Sequence, residues 1–119
     1  MEKTITVGGK EQRFKATGAT MRIYRQRFQR DILKDMAALQ DKYQSGDTLT
    51  ARDLECFENI AYVMAKQGDP SIPDEPDAWL DGFDMFSIFE VLPQILELWG
   101  ISGISISTSK KKAKRPTAR

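Results

Sequence analysis

Histidine is absent from all 119 residues of this chain. Its absence removes the side chain that most often serves as general base, nucleophile partner or zinc ligand. Cysteine occurs once, at Cys56, so neither an intramolecular disulfide nor a multi-cysteine metal cage can form; this usage fits a reducing compartment. Cys56 falls mid-helix among apolar residues with no histidine to activate it, which is the setting of a buried, inert thiol. No apolar run reaches the ~18 residues of a membrane span, and the N-terminal MEKTITVGG lacks the apolar centre of a secretory signal. Neither a phosphate-cradling glycine loop nor a dinucleotide fingerprint is present, and Gly8-Gly9 reads as a turn. Carboxylates remain. Asp74, Glu75, Asp77, Asp81 and Asp84 cluster in sequence, but without the alternating oxygens, central glycine and terminal glutamate of a calcium loop. No other element of a hydrolytic site accompanies them, so they read as a solvated acidic loop. No catalytic, metal or cofactor site is expected, and recognition has to carry the function.

Charge is plentiful and unevenly placed. The net charge of +1 conceals blocks: residues 1–52 hold eleven Lys/Arg against six Asp/Glu, while residues 53–103 hold one Lys against eleven acids. Residues 104–119 add six basic residues and no acid. Blocks of opposite sign imply neutralisation inside one fold, complementarity between copies, or a partner matched to one block. A hydrophobic content of 40% is ordinary for one globular domain of this length.

The order of elements follows from periodicity and punctuation. Thr4–Val7 and Gln12–Ala16 alternate around Gly8-Gly9-Lys10-Glu11, which predicts a β-hairpin that must lean on helices or a neighbour. Met21–Tyr43 predicts one long amphipathic helix, started by Thr17 or Thr20 and stopped at Gly46. Its apolar stripe is Met21, Tyr24, Phe28, Ile32, Met36, Leu39 and Tyr43, with Ile23, Arg27, Arg30 and Lys34 opposite. Thr50 with Asp53 approximates a capping box for a second helix, Ala51–Gln67, closed by Gly68, with Leu54, Phe57, Ile60, Ala61 and Met64 inward. Asp69–Pro76 is a proline-rich connector, and Asp77–Gly82 a short helical turn with Trp79 and Leu80 facing inward. A third helix runs from Asp84 to Trp99 and ends at Gly100, with Pro93 forcing a kink near Phe89–Leu92 or a break in two. It is apolar around most of its circumference, so it is either the central helix of the domain or is covered by another subunit. The expected fold is mainly α, a small α+β domain over residues 1–101 with an N-terminal hairpin, three principal helices and a helical core. Residues 102–119, ending in KKKAKRPTAR, read as a disordered basic tail.

Arg22, Arg25, Arg27, Arg30 and Lys34 together with the tail could meet phosphates. Against this, Asp31, Asp35 and Asp41 interrupt the basic helix, Arg27 and Asp31 have the i,i+4 spacing of an intrahelical pair, and the acidic half would repel a nucleic acid. A specific nucleic-acid ligand is therefore not expected.

The string ATMRIYRQRFQRDILKDM, Ala19–Met36, resembles the first-helix signature of tail assembly chaperones from long-tailed bacteriophages and prophages, through Tyr24, Arg25, Phe28, Arg30, Asp31 and Ile32. The segment Asp84–Gly100 is similar to the apolar C-terminal helix of that family, and the resemblance spans Phe14–Gly100. It implies a non-enzymatic protein of the bacterial host cytoplasm, not retained in the mature virion. Such a protein keeps the tape-measure protein soluble while tail-tube subunits assemble around it, and it could self-associate as a homo-oligomer. Many members of that family are made in two lengths, the longer by ribosomal frameshifting; the codons of Lys110-Lys111-Lys112 could form a slippery run, the alternative being a plain basic disordered tail. A helical partner would be met at helical spacing by apolar anchors and arginines. The expected contact residues are Trp79, Phe86, Phe89, Leu92, Leu96 and Trp99, with Arg25 and Arg30 as polar anchors, each of which also has a possible place in the core or in an ion pair. The other readings are a small nucleic-acid-binding regulator of a mobile element and a minor structural tail or connector protein.

Overall fold

The computed structural model describes residues 1–99. The basic tail, the lysine run and the helix stop at Gly100 lie outside the described residues. Strands β1 (Glu2–Val7) and β2 (Lys10–Lys15) form an antiparallel hairpin, followed by helices α1 (Thr20–Phe28), α2 (Ile32–Ser45), α3 (Ala51–Gly68) and α4 (Pro76–Leu80). A 3₁₀ turn, Ser87–Val91, leads into a terminal helix over residues 92–99. The molecule is thus a small α+β domain with an N-terminal hairpin and a helical core. No helix among the described residues is long and apolar enough to cross a membrane.

The hairpin turn is tighter than the spacing predicts. Val7 pairs with Lys10, leaving only Gly8 and Gly9 as the loop. Their φ values of 56° and 83° are the left-handed pair that a two-residue hairpin turn demands. Alternation places Ile5, Val7, Gln12 and Phe14 on the buried face, and this face lies on α3. As expected of two strands alone, the hairpin depends on a helix for its stability.

That helix, α3, is the central one. Its residues from Ile60 to Ala65 are all buried, with the hairpin, α1, α2 and α4 packed around it. Thr50 and Asp53 make the full capping box, each side chain accepting from the other's backbone N–H. The terminal segment is therefore not the central helix; it caps one flank, with Val91, Leu92, Ile95, Leu96 and Trp99 buried. It does break in two as Pro93 requires: 3₁₀ geometry to Val91, then α-helix, with Pro93 inside the first turn where its missing N–H is harmless.

The helix expected over Met21–Tyr43 is two helices. Gln29 adopts left-handed angles (φ 55°, ψ 42°) and ends α1 with its N–H on the Arg25 carbonyl at 2.8 Å. Asp31 then becomes the N-cap of α2, its Oδ1 accepting from Leu33 N at 2.9 Å and Lys34 N at 3.3 Å. So Asp31 is not the intrahelical partner of Arg27. A left-handed non-glycine residue costs roughly 1–2 kcal/mol. The Asp31 cap offsets about 1 kcal/mol of that, and the bend lets Arg30 turn back onto Asp35. Of the predicted stripe, Tyr24, Ile32, Met36 and Leu39 are buried and Phe28 is half-buried, but Met21 and Tyr43 are exposed. Gly46 stops α2 in the left-handed conformation, as its position predicts. Neither Thr17 nor Thr20 is the N-cap of α1, which is Ala19. Instead Thr20 donates to the Gln67 side chain and Thr17 accepts from it, tying the start of α1 to the end of α3.

Candidate partner-binding surface

The expected contact residues separate into three groups. Trp79, Leu92, Leu96 and Trp99 are core. The Trp79 ring packs edge-on against Phe14 and Phe83 and tilted against Tyr62, and its Nε1 donates to Gln12 Oε1 at 3.2 Å. Trp99 Nε1 donates to the Met64 sulfur at 3.1 Å, fastening the terminal helix to α3. Phe89 is half-buried against the core. Phe86 alone of the apolar six lies open, at 71% exposure beside Met85 at 77%.

The two arginines also divide. Arg30 is committed: its Nε donates to Asp35 Oδ2 at 2.8 Å and its Nη2 to Asp35 Oδ1 at 2.7 Å, a bidentate clamp. Tyr24 Oη donates to the same Oδ2 at 2.8 Å. Burial pushes the Asp35 carboxyl up, but the Arg30 and Tyr24 hydrogen bonds outweigh it and hold the group below the ordinary carboxylate range. Burial, then the Asp35 contact, raises the Tyr24 phenol. Arg25 is exposed on α1 and borders a shallow pocket of about 190 Å³ with Met21, Arg30, Asp31 and Ile32.

The acidic loop is partly matched by the basic helices. Arg27 donates to the Asp74 carbonyl at 2.6 Å, pairs with Glu75 at 3.4 Å and stacks its guanidinium 5.2 Å from the Tyr62 ring. Lys66 Nζ donates to Asp74 Oδ1 at 2.7 Å and also to the Pro70 and Ile72 carbonyls. These contacts draw Asp74 and Glu75 toward separate cations, and among the described residues no group of three or more Cys, Asp or Glu side chains is placed to hold a metal ion. Cys56 is buried, and burial raises its thiol pKa.

A second concavity lies where periodicity did not point. A cleft of about 270 Å³ opens between α2 and the terminal helix, lined by Gln40, Tyr43, Gln44, Pro93, Leu96 and Glu97. Leu96, Pro93 and Tyr43 supply its apolar lining, and Gln40, Gln44 and Glu97 its polar lining. Gln40 is 8% exposed, and its Oε1 is the one buried side-chain polar atom among the described residues without a hydrogen-bond partner. Of the expected contact residues only Leu96 reaches this cleft. Tyr43 escapes sequence reasoning because it continues the heptad-like stripe of core residues, and α2 outruns the core by one turn.

Comparison with protein-family models, with curated proteins and with solved structures finds no match for this chain.

Proposed function

We propose that this chain is a non-catalytic tail assembly chaperone of a long-tailed phage or prophage, binding helical segments of the tape-measure protein and keeping them soluble until the tail tube encloses them. The observation that carries the reading is the cleft between α2 and the terminal helix. It lies between two helices, and its lining joins the apolar Leu96, Pro93 and Tyr43 to the polar Gln40, Gln44 and Glu97. That form suits one or two apolar side chains of an amphipathic helix laid across it. The exposed Glu97 favours a helix that carries a cation one turn from its apolar anchor. The resemblance of Ala19–Met36 and Asp84–Gly100 to the chaperone family supplies the partner.

Co-expression with a tape-measure protein, sought among the genes neighbouring that of this chain, tests the reading. The wild type raises the soluble fraction of that protein, and Tyr43→Asp, in the exposed lining of the cleft, removes the effect while the chain itself stays folded. An unchanged soluble fraction with the wild type refutes the chaperone role. Salt-sensitive nucleic-acid binding without any effect on tape-measure solubility would favour the regulator reading.

A further inference from the structure

Of residues 69–87 only Trp79 is buried, while Ile72, Leu80 and Phe83 are half-buried against the core. The elements on either side differ. Ile60–Ala65 of α3 are buried, and beyond the segment so are Ile88, Val91 and Leu92. Both ends of the segment are therefore anchored, the first also by Asp69 N donating to the Ala65 carbonyl at 2.8 Å.

The backbone bonds inside the segment are local. Trp79 N donates to the Glu75 carbonyl, Asp81 N to that of Asp77, Gly82 N to that of Trp79 and Phe83 N to that of Leu80. Among the described residues no backbone–backbone hydrogen bond ties residues 70–86 to the hairpin or to α1, α2 or α3. Side chains reaching out from those elements to the segment's carbonyls do so instead. Lys66 Nζ donates to the Pro70 and Ile72 carbonyls at 2.9 and 2.7 Å, and Tyr62 Oη to that of Pro73 at 2.6 Å. Arg27 Nη2 donates to the Asp74 carbonyl at 2.6 Å, and Lys10 Nζ to that of Gly82 at 3.0 Å. The Arg27 and Lys66 side chains are 35% and 30% exposed, so water competes for their bonds. The Trp79 bond to Gln12 runs the other way, from the segment into the body.

We propose that residues 69–87 are a releasable flap pinned by Trp79. It opens as one unit by withdrawing that ring, while the hairpin, α1, α2, α3 and the terminal helix stay folded. Few buried apolar contacts and solvent-facing polar ties put a segment at the low end of a protein's range of opening free energies. Trp79 lies between two sets of ties, those from Lys66, Tyr62 and Arg27 before it and that from Lys10 after it. Withdrawing the ring breaks both sets, which makes the opening cooperative. The open state bares the Phe14 and Tyr62 rings and leaves the Gln12 amide oxygen without its donor, an aromatic socket with one acceptor that the closed surface hides. None of the ties uses the cleft residues Tyr43 and Glu97, so the flap stands or falls apart from the tape-measure reading.

Native-state hydrogen exchange on the full chain, followed residue by residue by NMR, tests it. The amides of Trp79, Asp81, Gly82 and Phe83 share one protection factor, at least about a hundredfold below that of Ile60–Ala65. Low urea changes it little, because opening the flap exposes far less surface than unfolding does. Lys66→Met keeps the apolar stem and removes the ammonium, and all four amides lose about tenfold in protection, the loss of one charge-assisted hydrogen bond. Lys10→Met, at the far end of the flap, lowers the same four together, and serves alone should Lys66→Met not fold. Ile32→Val, which removes a buried methylene on α2, lowers the protection of Ile60–Ala65 about threefold to tenfold and leaves the flap amides unchanged. Flap amides as protected as α3, or falling with it in Ile32→Val, open only when the whole domain unfolds, and that overturns the proposal. Four unequal values, or a flap indifferent to both lysine variants, overturn it as well.

Discussion

Gly68→Ala should destabilise this domain although it puts a better helix former into a helix. Gly68 is the last residue of α3, and its φ is not left-handed, so backbone freedom does not explain the glycine. Propensity alone favours alanine by up to about 1 kcal/mol, and by less at a terminus. The opposing effect is contact. A Cβ at Gly68 would lie 2.2 Å from the Arg13 carbonyl oxygen, 2.7 Å from its carbon and 3.2 Å from Phe14 N. Ordinary contact begins at 3.4 Å, so α3 and β2 would have to part by about 1.2 Å (3.4 less 2.2). Both sides are backbone, and no flexible side-chain tip can give way. The movement would lift Phe14, which is fully buried, and strain the Trp79 bond to Gln12, the residue before Arg13. Overpacking of this kind costs about 1–3 kcal/mol, leaving a net loss of about 1–2 kcal/mol after the helix gain. For a domain of this size that lowers Tm by roughly 5–15 °C. Thermal and urea denaturation followed by circular dichroism measure it, with Gly18→Ala as the control. A Cβ at Gly18 meets nothing within 4 Å and its φ is ordinary, so that variant is neutral or gains up to about 1 kcal/mol. A Gly68→Ala protein as stable as wild type would refute the hairpin's docking on α3.

Asp35→Ala leaves the Arg30 guanidinium and the buried Tyr24 hydroxyl without their shared acceptor. The expected loss in urea titration is about 2–3 kcal/mol, below the usual 3–5 for a broken buried pair because Arg30 is one-third exposed and can turn to water. Tyr24→Phe should then cost clearly less in the Asp35→Ala background than in wild type. Acid should weaken the fold between pH 4 and 2. The Lys42 and Thr50 hydrogen bonds hold Asp53 down to about 2 from an ordinary 3.8, and Asp35 is also lowered against its burial. A carboxyl depressed in the folded state stabilises it above the ordinary value, and that contribution disappears as pH falls through the folded value. Asp53→Asn should flatten this part of the urea-midpoint profile; an unchanged slope would contradict the assignment. Cys56 should react with a thiol reagent at least tenfold more slowly in the native protein than in denaturant, since it is buried and its thiol pKa is raised.

Much of the fold was legible because local chemistry and burial agree. Gly8-Gly9, Thr50 with Asp53, Gly46 and Pro93 each have one backbone arrangement that suits them, and each is found in it. The break at Gln29–Asp31 was not legible, because nothing there is a helix breaker. A three-residue interruption nearly preserves the phase of the apolar stripe, so Tyr24, Ile32, Met36 and Leu39 are buried whether or not the helix is continuous. The local signal was Asp31 itself, an N-cap residue type followed by two backbone N–H groups that need an acceptor. Arg27 showed the competing use of Asp31, but its real partners, Asp74, Glu75 and the Tyr62 ring, are far along the chain and invisible to helical spacing.

The contact surface was harder to read for a related reason. Periodicity tells which residues can share a face but not which neighbour covers that face. The terminal segment is apolar around most of its circumference, which reads as surplus surface in need of a partner. In the fold α3 absorbs most of it: Trp99 reaches Met64, and Leu92, Ile95 and Leu96 close over the core. What remains open are the positions where elements end or overshoot. Tyr43 lies in the last turns of α2, beyond the reach of the core, and Phe86 lies before the 3₁₀ turn begins. Met21 stands in the first turn of α1, away from the core. A large apolar residue at such a position cannot be buried by its own helix and gains nothing from propensity. Its exposure is therefore the stronger sign of a binding role than any buried tryptophan, and the cleft argued above rests on Tyr43 for that reason.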